Sequence, residues 1–252
     1  MREDIGTPAM TPQQEMLTGS KKSGLDLYKE LAVGQASWIY LVFFELAVLL
    51  LGNLSGILGY GLRSIFYKFL FKTCGKRPGF GKGTILRQPN NIVLGNKILL
   101  DDYASLDVRG KNGQIEVFDH VSIGRFSSII AKDSQIKLGK GVNVGAFTRI
   151  ASQSKVEIGE SVLIAAYCYI GPGNHQLGDE SVPLISKAMQ NKGGVKIGAH
   201  AWIGTRATIL DGVTIGEGAI IGAHSLVTSD IPARSIAVGT PAKVIKMIDQ
   251  TK

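Results

Sequence analysis

Apolar residues recur every sixth position through the C-terminal half of the chain: Ile197, Ile203, Ile209, Ile215, Ile221 and Val227. Most are followed by glycine, as in Ile197-Gly198, Ile203-Gly204, Ile215-Gly216 and Ile221-Gly222. Four positions after each of the first five stands another small or compact residue: Ala201, Ala207, Val213, Ala219 and Ser225. A period of six fits neither the 3.6-residue turn of a helix nor the alternation of an ordinary strand. It predicts a parallel β-helix, in which each repeat is one short strand and a turn.

Upstream the beat continues in groups of three: Leu94, Leu100, Leu106; Val117, Ile123, Ile129; Leu138, Val144, Ile150; Ile158, Ile164, Ile170. Extra residues enter only after the third anchor of a group. Three strands therefore close one coil of a triangular prism, and every insertion leaves from one corner. A single coil cannot bury its apolar side, whereas stacked coils share a continuous core. The expected fold is an all-β solenoid of about six coils over residues 84–246, with a tail at 247–252. Pro232 marks the exit from the regular coils, and IAVGTPAKVI supplies a last partial coil or strand.

Ahead of the repeats the pattern changes. Residues 1–24 are polar and read as a disordered tail. They lack the early apolar core and cleavage pattern of a signal peptide. Residues 25–83 read as a helical appendage. Within it, WIYLVFFELAVLLL (residues 38–51) is almost wholly apolar, and the apolar tract continues to Leu62. A bilayer span needs about 20 apolar residues, but Glu45, Asn53 and glycines 52, 56, 59 and 61 interrupt this tract. Two helices in a hairpin, or one in-plane helix and a second basic one, fit better. Arg63, Lys68, Lys72, Lys76, Arg77 and Lys82 follow directly. Apolar then basic suits association with an anionic membrane surface. Packing of the helices on the prism end or on a neighbouring subunit is the alternative.

Composition narrows the setting. The net charge is +8 and glycine is abundant at 32 residues, against 9 Phe and 2 Trp. No Arg/Lys stripe with interleaved aromatics appears, so nucleic acid is not an expected partner. Two cysteines make no disulfide framework. Cys168 falls in a small inward slot and Cys74 outside the repeats, which suits a reducing cytoplasm, peripheral at the inner face of the cell membrane.

Chemistry concentrates in one insertion, GPGNHQLGDESVPLISKAMQNKGGVK, which forms the loop 171–196. Long loops in compact repeat folds are usually functional. His120, His200 and His224 each stand three residues after an anchor, in corner phase, whereas His175 lies outside the beat at the root of this loop. A neutral imidazole titrates near the working pH, which suits His175 to general-base chemistry. No metal site is expected: zinc catalysis by a β-helix would need three convergent imidazoles, and three of the four histidines are in corner phase. No nucleotide-binding glycine motif stands between a strand and a helix.

Three segments carry a family resemblance: VLIAAYCYIGPGNH, then VKIGAHAWIGTRATILDGVTIGEGAIIGAHSLVTSDIP, then IAVGTPAKVIK. They resemble the hexapeptide-repeat acyltransferases, and within these the sugar and polysaccharide O-acetyltransferases. The resemblance implies a left-handed parallel β-helix, a homotrimer, and acetyl-CoA as acyl donor. It implies that His175 is the general base. Asn174 replaces an Asp common before this His, so the group that orients the imidazole is Asn174, Asp179, Glu180 or a backbone carbonyl. The resemblance also places Trp202 beside the coenzyme A path between subunits, or in a trimer contact. It places Thr205 and Ala223 along the pantetheine arm, and Lys243 with Lys246 near the coenzyme phosphates. Ser229 stands where many relatives carry a phosphate-binding Lys, with Arg206 or Arg234 as substitutes.

The functional expectation is an acetyl-CoA-dependent O-acetyltransferase. Its acceptor is a sugar or glycan hydroxyl, in surface polysaccharide or lipid-linked glycan synthesis. N-acylation of an amino sugar is the enzymatic alternative. A non-catalytic trimeric scaffold is the other, and His175 and Trp202, which the repeat does not require, argue against it.

Overall fold

The computed structural model describes residues 23–171, 174, 175, 187 and 189–248. The tail residues 1–22 and 249–252 lie outside the described residues. The period-six stretch forms a left-handed parallel β-helix whose three faces are sheets of 7, 9 and 7 strands. Register stacks the anchors without a slip. On the first face Leu94, Val117, Leu138, Ile158, Ile197 and Ile215 are successive partners. On the second, Leu100, Ile123, Val144, Ile164, Ile203 and Ile221 pair in turn. On the third, Leu106, Ile129, Ile150, Ile170, Ile209 and Val227 do so. Ile158 and Ile197 are direct partners despite the long loop between them. The insertions thus leave the prism at the corner between third and first faces and do not disturb the stack.

The anchors are 0–3% exposed. Burying each aliphatic side chain contributes about 1.5–3 kcal/mol before chain entropy is counted. Ala201, Ala207 and Ala219 fill the small inward slots with no exposure. Cys168 sits in the same slot, with Sγ 3.2 Å from the Gly204 carbonyl oxygen. Corner residues adopt the left-handed conformation, among them His120 (φ 62°), His200 (φ 60°) and His224 (φ 59°). That conformation costs an L residue roughly 1–2 kcal/mol. At the corner between second and third faces, Tyr103, Phe126, Phe147 and Tyr167 offset it by stacking, with centroids 4.9–5.0 Å apart.

The solenoid begins earlier than Thr84. Cys74 pairs with Leu94, Phe80 with Leu100 and Leu86 with Leu106, which adds a seventh coil. The spacing of six is kept, but Cys and Phe stand in place of aliphatic anchors. The reason is positional: a terminal coil has no neighbour on one side, and larger groups fill that space. Phe80 is fully buried, against Phe71 at 5.5 Å and Tyr67 at 5.6 Å between centroids. Residues 73–83 of the expected helical appendage therefore belong to the prism.

Three helices close this end: α1 (Gly24–Val33), α2 (Trp38–Leu51) and α3 (Gly56–Phe66). The run 25–51 is broken in two. Gly34 (φ 61°) ends α1, and the Ser37 hydroxyl caps α2 by accepting from the Tyr40 backbone N–H at 3.2 Å. Leu41, Phe44 and Ala47 of α2 join the solenoid core. Arg63 is 2% exposed and locks the hairpin to the first coil. Its Nε donates to the Phe80 carbonyl at 2.9 Å, and its Nη1 donates to those of Leu51 at 2.9 Å and Leu54 at 2.7 Å. Arg63 is thus a structural bolt and not part of the exposed basic cluster. Helices over the first strands also shield edges that would otherwise invite pairing with another chain. Among the described residues, no single helix is long and apolar enough to cross a membrane, and α1 and α2 are bent by 71° to one another.

Candidate active site

The predicted base enters from the open corner. Asn174–His175 forms a short strand paired antiparallel with Met189–Gln190, so His175 faces Met189 in register. The chain leaves the prism for this hairpin at the corner after Ile170 of the third face. Asp179 and Glu180, the other candidates for orienting the imidazole, lie outside the described residues.

The loop returns to the prism through a side chain that the sequence reading did not single out. Asp211 is 6% exposed. Its carboxylate accepts from the backbone N–H of Lys192 at 2.6 Å, from that of Gly194 at 2.8 Å, and from the Ser154 hydroxyl at 3.1 Å. Gly194 adopts φ 96°, and a Cβ there would lie 2.1 Å from the Lys155 carbonyl oxygen. The carboxylate and the glycine together fix where the loop re-enters the first face. Periodicity cannot reveal Asp211, because its partners lie at the far end of an insertion. A depression of about 330 Å³ adjoins this root, lined by Lys155, Glu157, Lys192, Lys196 and Thr214 among others.

The expected donor-binding residues gather on the second face and its corner with the third. Trp202 points outward and is 49% exposed. Its register partners are Leu163 on one side and Ile220 on the other. Ile220 pairs with Ile236, and Ile236 with Lys246 of the antiparallel strand Ala242–Met247. Lys243 lies opposite Val238 of the same sheet. Trp202, Ile220, Ile236 and Lys246 thus form one outward row: an indole, two aliphatic groups and an ammonium. Sheet spacing of about 4.8 Å puts the ends of the row roughly 14 Å apart. Thr205 and Ala223 are exposed one coil apart at the adjoining corner, and the Thr205 hydroxyl donates to the Ala166 carbonyl at 2.8 Å. Arg206 stands beside them, its guanidinium 5.4 Å from the Tyr167 ring centroid.

The triangular section decides how these parts relate. The second face lies opposite the corner between third and first faces. The chain therefore leaves the prism toward the His175 hairpin at the corner opposite the face that carries the Trp202 row, across a packed core that includes Ile170, Ile203 and Ile209. The histidines in corner phase are also dispersed: His120 and His200 share one corner, three coils apart, and His224 occupies another. Among the described residues, no group of three or more His, Cys, Asp or Glu could hold a metal ion.

Comparisons with known proteins agree with this architecture. Residues 194–229 match the family "Bacterial transferase hexapeptide (six repeats)". A "probable acetyltransferase" of Mycobacterium tuberculosis is 35% identical over 156 residues, 62% of this chain and 52% of that protein. WbbJ of Escherichia coli, provisionally described as a lipopolysaccharide biosynthesis O-acetyl transferase, is 36% identical over 111 residues. That match covers 42% of this chain and 57% of WbbJ. The chain spans about half the length of these curated relatives. Among solved structures, the polySia specific acetyltransferase NeuO superposes with a TM-score of 0.56 at 25% identity, covering 71% of this chain and 77% of NeuO. In its period-six register and its single insertion corner the chain is similar to the bacterial hexapeptide-repeat transferases, whose family model it matches over residues 194–229.

Proposed function

We propose that the protein is an acetyl-CoA-dependent O-acetyltransferase that modifies a sugar hydroxyl, in surface polysaccharide or lipid-linked glycan synthesis. It acts in the cytoplasm as a homotrimer. The observation that supports the reading is that the loop bearing His175 leaves the prism at the corner opposite the face that carries the Trp202–Lys246 row. Each is half a site. Packing three prisms side by side sets the corner of one subunit against the second face of the next and completes three sites. The relatives support the reaction class, since WbbJ is described as an O-acetyl transferase and NeuO as an acetyltransferase of polySia.

The chemistry follows from the side chains. The indole and aliphatic row covers the apolar part of the donor, and Lys243 and Lys246 meet its phosphates as compact cations. His175, as a neutral imidazole, removes the acceptor hydroxyl proton while the oxygen attacks the thioester carbonyl. Backbone N–H groups already fixed in the coil stabilise the oxyanion without reorganisation. Collapse of the tetrahedral intermediate breaks the C–S bond. The imidazolium returns its proton to the departing thiolate, leaving an ester and free coenzyme A.

The test is incubation with acetyl-CoA and a panel of glycans, following free thiol and product mass. The reading expects a thiol released for each acetyl group gained by one acceptor class, with the new ester labile to mild base. A product stable to base would assign N-acylation. Absence of donor binding and turnover across the panel would favour a scaffold.

A further inference from the structure

We propose that the outer face of the helical cap is a docking surface for an anionic lipid bilayer, lying in the plane of the membrane. Helix α2 has two apolar faces. One packs on the first coil through Leu41, Phe44 and Ala47. The opposite one exposes Ile39 (83%), Val42, Leu46, Leu49 (76%) and Leu50. Helix α3 continues this surface with Ile57 (90%), Leu58 and Ile65. Soluble monomers rarely leave a contiguous apolar surface of this extent uncovered.

The charges say what covers it. Glu45 is the sole acidic residue of α2, and it turns sideways to accept from the Tyr28 hydroxyl of α1 at 2.5 Å. The outward apolar faces of α2 and α3 are therefore free of negative charge. From residue 46 to residue 100 the sequence contains no Asp or Glu, and it contains eight Lys or Arg. Of these, Lys68, Lys72, Lys76 and Arg77 are exposed directly after α3. A second copy docked end to end would bring two such clusters together and repel. An anionic headgroup layer complements the cluster while its acyl region takes up the aliphatic side chains. The cap lies in the interface and does not span it. Helix α2 has 14 residues, about 21 Å long at 1.5 Å each, short of a hydrocarbon core of about 30 Å.

Docking by this end also orients the protein. The cap closes the first coil, and the His175 hairpin leaves the fifth coil downstream of it. At about 4.8 Å per coil, it stands roughly 20 Å beyond the cap. An acceptor anchored in the same membrane would present a hydroxyl several sugar units from its lipid.

The test is flotation of the full chain with phosphatidylcholine vesicles, with and without phosphatidylglycerol, alongside light scattering for mass. The parent protein should float with the anionic vesicles, at least ten-fold more than with neutral ones, and less at high salt. Leu49→Glu with Ile57→Glu, both on side chains the fold leaves exposed, should abolish flotation without changing the melting temperature. Lys68→Glu with Lys72→Glu should remove the preference for anionic lipid. Unchanged flotation in the Leu49/Ile57 variant would overturn the proposal. So would a halving of solution mass in that variant without loss of lipid binding, which would assign the face to a second copy. Acetyl transfer to a soluble acceptor should be equal in parent and variants, so the membrane inference can fail without the catalytic one.

Discussion

Trp202 and Lys246 occupy one cross-strand row of the second face, three strands apart, with Ile220 and Ile236 between them. Residues 44 positions apart in sequence thus form a continuous apolar-to-cationic strip. If the donor lies along it, Trp202→Ala should raise the Michaelis constant for acetyl-CoA more than it lowers turnover, since the indole packs on donor and transition state alike. Lys246→Ala should do the same and add sensitivity to salt. Unchanged constants in steady-state kinetics would remove the row from donor binding.

Replacing His175 by Ala should lower turnover by about 100-fold or more, the usual range for a lost general base. Assembly, melting and coenzyme A binding should persist, because the hairpin projects from the stacked core. The parent rate should rise with pH as the base loses its proton, and this dependence should vanish in the variant. Substitutions at His120, His200 and His224 should cost far less, because these residues only turn corners. Comparable collapse at any of them would show the base to be misassigned.

Departure of the His175 loop from the corner opposite the Trp202 face predicts complementation between subunits. His175→Ala and Trp202→Glu should each be nearly inactive alone. Mixed trimers formed by co-expression should recover activity, since some interfaces then pair an intact hairpin with an intact row. Failure of mixed assemblies to exceed either parent variant would argue for a site within one chain.

Loss of the Asp211 carboxylate by substitution with Ala strands the backbone N–H groups of Lys192 and Gly194 at the loop root. A buried donor left without a partner costs about 1–3 kcal/mol. Differential scanning calorimetry should show a lowered melting temperature. Turnover should fall while the donor Michaelis constant stays near that of the parent, because Asp211 supports the hairpin and not the row. A raised donor constant with normal turnover would contradict that division.

Burial holds both thiols above their ordinary range: Cys74 is pushed up to about 11 and Cys168 is also raised. Neither is a thiolate near neutral pH, so Ellman's reagent at pH 7.5 should label the native protein slowly and the denatured protein fully. Turnover should survive the exposure. Rapid native labelling coupled to inactivation would point to a cysteine in the chemistry.

Much of this molecule was written in its periodicity. Spacing alone specified the triangular coil, the pairing of each anchor with the next group's, and the single corner from which insertions leave. That is so because a solenoid turns local spacing into long-range register: equal repeats have one way to stack. The corner phase of His120, His200 and His224, and the exceptional position of His175, followed from the same beat. The first coil was obscured because its anchors are Cys74, Phe80 and Leu86, chosen to fill space against the cap. Tertiary structure also decided what no local pattern encodes. It drew Arg63 out of the basic cluster into a buried bolt between three carbonyls. It brought Asp211 to the loop root from beyond the insertion. It set Lys246 in line with Trp202 by folding the last strand back antiparallel, and set that row on the face opposite the corner from which the His175 loop leaves. These relations depend on which faces of the prism the residues occupy, and a face is a property of the closed coil, not of any segment within it.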